Sequence, residues 1–266
     1  MGLFKNRVVI KVGTSTLTND AGKSDLRAMD NLARVISDIH NMGYEVILVS
    51  SGAIAVGSNK LCMKSKPKSM RMKQAAASVG QCSIMYLYDK FFGDYDKTVG
   101  QILLNAEDIK EEEKKDNLTN TFDALLEMGV IPIVNENDSV SYTEIESEER
   151  LFGDNDMLSA VVAVLCKANK LIILSDIDGL FDNDPRLHPS AKLIEKIDCI
   201  DESIYAIAGG AGSKRGTGGM KTKLQAAELA ASQGIDTVIS NGKKAEAIYD
   251  IVKGISVGTL FKGKRK

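Results

Sequence analysis

Histidine is nearly absent from this chain, with only His40 and His188 in 266 residues. His40 falls late in an amphipathic helical pattern and His188 stands beside Pro189, both ordinary surface settings. G-x-S-x-G does not occur, which argues against a Ser/His hydrolase. The four cysteines, Cys62, Cys82, Cys166 and Cys199, are scattered and form no C-x-x-C pair, so neither a zinc ribbon nor a redox dithiol is encoded locally. Without H-E-x-x-H either, the sequence supplies no transition-metal centre. No apolar run is long enough for a signal peptide or a membrane span, and Met1-Gly2 followed by Asn6 lacks the hydroxyl residue of a myristoylation site. Free thiols and the missing leader fit a cytoplasmic location. Net charge is −2, which gives nucleic-acid binding no electrostatic support, and the closing Lys262-Gly263-Lys264-Arg265-Lys266 reads as a solvated tail.

What is present is the composition of a globular protein, 44% hydrophobic and 26% charged. Short β-branched runs recur, each ending in small or polar residues and each followed by a helical period. Val8–Val12 ends in Gly13-Thr14-Ser15, Val46–Val49 in Ser50-Ser51-Gly52, and Ile131–Val134 in Asn135-Glu136-Asn137-Asp138. Leu171–Leu174 ends in Ser175-Asp176 and Thr237–Ile239 in Ser240-Asn241-Gly242. Continuous apolar runs mean strands buried on both faces, and the helices between them supply the crossovers of a parallel sheet. The expectation is an α/β protein, a three-layer α/β/α sandwich with a mainly parallel central sheet. Its ligands should gather at the carboxyl ends of the strands. Helices are expected at 25–41, 70–92, 118–127, 155–167 and 220–232, with Gly43 and Gly129 as carboxyl-terminal stops. An exposed hairpin is expected over 139–152, surface for the charged run 110–115, and a lobe boundary near Ala168 within the single 1–266 unit.

Gly216-Thr217-Gly218-Gly219-Met220-Lys221-Thr222-Lys223 runs directly into a helical pattern. It matches neither the Walker pattern nor G-x-G-x-x-G. Glycines admit close backbone approach, a helix start offers unpaired N–H groups and lysines add charge, so the loop suits a nucleotide's phosphates; a linker with a helix cap is the plainer alternative. Lys11 interrupts a strand that should be buried, and a buried lysine needs an anion. It can snorkel from the strand end, pair with a core carboxylate, or join the Gly13-Thr14-Ser15 turn in holding phosphate. Asp154-Asn155-Asp156 opens a helix, and one of the three serves as its cap. A second can face the site, where a carboxylate orients lysines or helps hold Mg²⁺. Asn135-Glu136-Asn137-Asp138, at a strand's carboxyl end, suits a substrate's amino group or is a plain loop.

Taken in order, Lys11–Ser15, Ser50–Ile54, Asn135–Asp138, Phe152–Asp156, Ser175-Asp176 and Gly216–Lys223 resemble the glutamate 5-kinases of the amino acid kinase family, and the likeness runs to about Gly258–Phe261. The resemblance implies transfer of the ATP γ-phosphate to the γ-carboxylate of L-glutamate, giving γ-glutamyl phosphate, the first step of proline biosynthesis. It implies glutamate contacts at Ser51, Asp138 and Asn155 within an N-terminal lobe, 1–167. It implies ATP contacts at Lys11, Ser175, Asp176 and Thr217, Gly218, Gly219, Met220, Lys221, Thr222 and Lys223, mostly in a C-terminal lobe, 168–266. Lys11 and Lys223 become the stabilisers of the transferred group and Asp156 their positioning carboxylate. Residues 209–216 become a lid. Mg²⁺ accompanies ATP, and no protein ligands are assigned to it. A homo-oligomer, dimer or tetramer, and coupling to glutamate-5-semialdehyde dehydrogenase are implied as well. Longer family members add a C-terminal PUA domain, for which this chain is too short.

The rivals are acetylglutamate kinase, aspartokinase, uridylate kinase and isopentenyl phosphate kinase, and a non-catalytic regulatory binder of the same fold. Gly13-Thr14-Ser15 favours the glutamate 5-kinases, since acetylglutamate kinases are expected to carry a Gly-Gly pair there. Intact Lys11, Asp156 and Lys223 disfavour the non-catalytic reading. The chemistry also suits a chain with few histidines. A glutamate carboxylate, with an ordinary pKa of about 4.3, is already ionised at neutral pH, so the attacking oxygen requires no general base.

Overall fold

The computed structural model describes residues 6–19, 22–140, 155–208 and 219–264. The chain runs β1 (Arg7–Val12), α1 (Thr14–Leu17), α2 (Leu26–Asn41), β2 (Glu45–Ser50), α3 (Ala53–Lys60), α4 (Met70–Gly93), β3 (Val99–Leu104), α5 (Ala106–Lys110), α6 (Glu112–Glu127) and β4 (Ile131–Glu136). It continues through α7 (Asn155–Leu165), β5 (Lys170–Ser175), β6 (Lys196–Ile197), α8 (Glu202–Ile207), α9 (Met220–Ser232), β7 (Asp236–Asn241), α10 (Ala247–Val252) and β8 (Thr259–Phe261). Eight strands form one sheet in the order β3-β4-β2-β1-β5-β7-β8-β6, parallel throughout except where β8 runs against β7. The strands from before Ala168 fill one half of the sheet and those after it the other, meeting where β1 pairs with β5.

Alternation along the central strand divides the interior in two. Val8, Ile10 and Val12 of β1 join a core with Met29 and Ile36 of α2, Ile84 and Tyr88 of α4, and Ile248 of α10. Val9 faces the other way, into a core with Phe122 of α6, Leu158 of α7 and Leu224 of α9. Successive side chains of a strand point to opposite faces, so Lys11 shares the face of Val9 and points toward α7 and α9. The three layers are those the apolar runs imply.

Two glycines set how close one helix pair comes. A Cβ on Gly57 of α3 would stand 1.7 Å from the Ala76 carbonyl oxygen of α4, and one on Gly80 would stand 1.8 Å from that of Ala53. The helices therefore cross backbone to backbone, which brings the α4 turn after Gly80 in over the carboxyl end of β2.

All five strand runs and the five long helices of the sequence reading are present, with α6 starting ahead of its expected position because the charged run 110–115 is largely its exposed first turn. Gly43 and Gly129 both take positive φ after their helices. Three strands were not foreseen. β3 carries Gly100 and an exposed Gln101 at the sheet edge, so it lacks a continuous apolar run, and β6 and β8 are too short for any period. The expected hairpin lies mostly in 141–154, outside the described residues.

The expected solvated tail does not hold for residues 262–264, its part within the described residues. Lys262 pairs with Asp236 at 2.7 Å, and its N–H donates to the Ile197 carbonyl. The Gly263 N–H donates to Asp236 Oδ1, and the Lys264 N–H to the Ala231 carbonyl. This segment ties β6, α9 and β7 together, and the exposed run of charge concealed backbone bonds that no sequence pattern displays. Deleting residues 262–266 is expected to lower Tm by about 3–10 °C, the scale of two or three lost bonds in a domain of this size. Calorimetry against the full chain checks it, and an unchanged Tm would return the tail to solvent.

Candidate active site

Asp156 occupies the first turn of α7, where a carboxylate is favoured by the helix N-terminus, and it is fully buried. Lys11 Nζ stands 2.6 Å from its Oδ1, and Lys223 Nζ 2.9 Å from its Oδ2. Lys223 reaches it from the buried stripe of α9 that also carries Leu224, Ala227 and Ala230, and Thr222 Oγ1 donates to the same Oδ2 at 3.1 Å. The side chains of Lys11 and Lys223 are only 6% and 9% exposed. Burial pushes the Asp156 carboxyl up, but the two ammonium groups outweigh it and hold the carboxyl at about 2. One carboxylate between two lysines leaves the cluster with a net positive charge, fit to receive an anion.

Strand order places the other candidates to either side of this cluster. Toward β2 and β4, the Asn155 Nδ2 lies 2.8 Å from Ser51 Oγ, 3.0 Å from the Ser50 carbonyl and 3.1 Å from Asn135 Oδ1. Asn135 in turn donates to Gln81 Oε1 of α4 at 2.8 Å, and the Ser50 hydroxyl meets the buried Tyr88 hydroxyl at 2.9 Å. Gly52, with φ of +100°, turns the chain from β2 into α3 in a conformation that favours glycine. Asp138 sits half-buried in the turn after β4, at the same sheet edge.

Toward β5 and β7, Ser175 ends β5 and donates to Asp176 Oδ1 at 3.2 Å. The Gly242 N–H closes on the Ser175 carbonyl at 2.7 Å, and Asn241 donates to Asp178 at 2.9 Å. Gly219 precedes α9, which has no side-chain cap among the described residues, and a helix start of this kind suits an anion; Met220 is half-buried and Lys221 exposed there. Thr217, Gly218 and the expected lid fall outside the described residues, as does Asp154.

Lys11, Asp156, Thr222 and Lys223 are thus brought into contact, as are Ser51 and Asn155, and Ser175 and Asp176. Gln81 and Tyr88 were not identified from sequence. They lie on the buried face of a helix whose period reads as core, and only the polarity of Gln81 there was a signal. Among the described residues no cluster of three His, Cys, Asp or Glu could hold a metal ion. Asp156, matched by two lysines, is suited to positioning them more than to ligating a cation.

The amino acid kinase family pattern matches residues 6–241. A glutamate 5-kinase from Clostridium perfringens is 53% identical over 259 residues, covering 97% of this chain and 96% of that protein. One from Clostridium acetobutylicum is 52% identical over 261 residues, covering 98% and 96%. Among solved structures, the carbamate kinase from Giardia lamblia bound to AMP-PNP shares the fold at a TM-score of 0.67 and 18% identity, covering 98% of this chain and 99% of that one. The chain belongs to the amino acid kinase family, and within it to the glutamate 5-kinases.

Proposed function

We propose that this chain transfers the γ-phosphoryl group of ATP to the γ-carboxylate of L-glutamate, forming γ-glutamyl phosphate and ADP in the first step of proline biosynthesis. The observation that carries the reaction class is the buried Asp156 carboxylate clamped between Lys11 and Lys223 at the carboxyl edge of the sheet. The identity of the acceptor follows from the near full-length likeness to glutamate 5-kinases.

On this reading, glutamate lies on the β2–β4 side against Ser51, Asn155 and Asp138. ATP lies on the β5–β7 side against Ser175, Asp176 and residues 217–223. The strand order supports that division, and with it a glutamate lobe of 1–167 and an ATP lobe of 168–266. The already ionised γ-carboxylate attacks the γ-phosphorus, the bond to the β-phosphate oxygen breaks, and ADP leaves. Lys11 and Lys223 draw the two anions together and stabilise the charge spread over the transferred group, while Asp156 fixes where their ammonium groups stand. Mg²⁺ bound with the ATP would supply further charge neutralisation at the transferred group. The product is an acyl phosphate that water hydrolyses, which favours prompt consumption by glutamate-5-semialdehyde dehydrogenase. Cysteines 62, 82, 166 and 199, all free, support a reducing cytoplasm, and a dimer or tetramer is the proposed assembly.

Hydroxylamine traps acyl phosphates as hydroxamates. ATP-dependent hydroxamate is expected with L-glutamate and not with L-aspartate or N-acetyl-L-glutamate. Product with either of those instead would move the chain to another acceptor, and none with any acid from a folded, ATP-binding protein would favour the non-catalytic binder.

A further inference from the structure

α4 presents an otherwise apolar buried face, Ala77, Gly80, Ile84, Tyr88 and Phe91, in which Gln81 is the only amide. An amide in such a place is costly unless it is hydrogen-bonded. Its Oε1 accepts from Asn135 Nδ2 at 2.8 Å, and Asn135 Oδ1 faces Asn155 Nδ2 at 3.1 Å. The three amides form a short chain from the helix to the edge of the site.

Amide groups can flip, but two fixed main-chain groups decide the polarity here. The Glu136 N–H, 2.9 Å from Asn135 Oδ1, can only donate, so the oxygen of Asn135 must face it and the nitrogen must face Gln81. The Ser50 carbonyl, 3.0 Å from Asn155 Nδ2, can only accept, so Asn155 must turn its nitrogen inward. With the nitrogen inward, Asn155 keeps Oδ1 as its acceptor. The two protons of that nitrogen are shared, one of them in a three-centre bond, among the Ser50 carbonyl, Asn135 Oδ1 and Ser51 Oγ at 2.8 Å, and Ser51 keeps its own proton to donate. An acceptor beside a donor is the complement of an ammonium group beside a carboxylate, the two ends of an α-amino acid.

We propose that Gln81 is a positioning residue for the amino-acid acceptor: through Asn135, and together with these main-chain groups, it steadies the Asn155 amide in the orientation that leaves an acceptor and the Ser51 proton for the substrate's zwitterionic end. This rests on the glutamate reading above. Gln81 touches neither substrate nor the transferred group, so its loss is expected to be felt in glutamate binding and little in ATP binding. Without its Oε1, Asn135 Nδ2 loses its acceptor and the Glu136 N–H alone holds that amide, so Asn135 Oδ1 is less firmly placed against Asn155 and the pair facing glutamate is less well ordered.

The test is steady-state kinetics of Gln81→Met, nearly isosteric but with no strong acceptor, and of Gln81→Glu, which keeps an oxygen toward Asn135. Gln81→Met is expected to raise the KM for glutamate about tenfold, the scale of one lost hydrogen bond. The KM for ATP should stay within about twofold, and Gln81→Glu should recover most of the glutamate affinity. An unchanged glutamate KM in folded Gln81→Met would overturn the proposal. So would equal rises for both substrates that Gln81→Glu fails to rescue, which would mark a merely structural residue. If Gln81→Met does not fold, Gln81→Ala is read by the same criteria; failure of both to fold, with Gln81→Glu intact, would assign Gln81 to folding alone. Wild-type protein run in parallel separates the two readings, since absence of glutamate phosphorylation there fails the proposed function and not the role of Gln81.

Discussion

Replacing Lys11 or Lys223 with alanine is expected to lower kcat by about 10²- to 10³-fold in protein that remains folded, the usual cost of removing one group aimed at developing charge. Each lysine is nearly out of water, and a charge acts more strongly there than at an exposed position. Removing one leaves Asp156 paired with the other, so folding loses one ion pair and keeps the second. The lost positive charge, by contrast, is the net charge of the cluster, and a neutral pair has little to offer the transferred phosphoryl group. If both lysines act mainly on the transition state, kcat and kcat/KM fall together. Initial rates at saturating ATP and glutamate, with circular dichroism to confirm folding, check the expectation. Near-normal kcat in both variants would remove the lysines from the chemistry.

Asp156→Asn should harm stability as well as rate. It leaves two buried ammonium groups facing an amide, and breaking a buried ion pair from one side costs about 3–5 kcal/mol. Urea unfolding measures this as a lower midpoint at unchanged slope. Added ATP should narrow the gap, because its phosphates supply the missing negative charge and bind the folded state only. The pH dependence has a definite sign. The folded carboxyl is depressed to about 2 from an ordinary 3.8, so its contribution is fully present above about pH 4 and is lost as pH falls toward 2. The difference between wild type and Asp156→Asn should therefore be flat near neutrality and shrink only in that acid window. A variant as stable as wild type at pH 7 would show that the lysines do not need this carboxylate.

Much of the architecture was legible because it is written locally. A β-branched run such as Val46–Val49 can be buried on both sides only in a covered sheet, and Leu26–Asn41 places Met29, Leu32, Ile36 and Ile39 on one stripe at helical spacing. β3 was not legible, since an edge strand with Gly100 and exposed Gln101 has no such run, and the tail was misread because its bonds are made by backbone atoms. Gln81 shows the limit most directly. Within α4 it is a polar residue among core positions, and its partner Asn135 is reached only because Gly57 and Gly80 let two helices cross in contact.

By itself the sequence determined the alternation of strands and helices, the three layers that follow from it, and which side chains stand at the carboxyl ends of the strands. Periodicity and propensity act over a few residues, and those properties are local. The tertiary structure alone decided that Lys11 and Lys223, from opposite ends of the chain, close on one carboxylate from its middle, and which way the amides beside them point. Those facts depend on sheet order and on the polarity of distant main-chain groups, and neither is carried by any one segment.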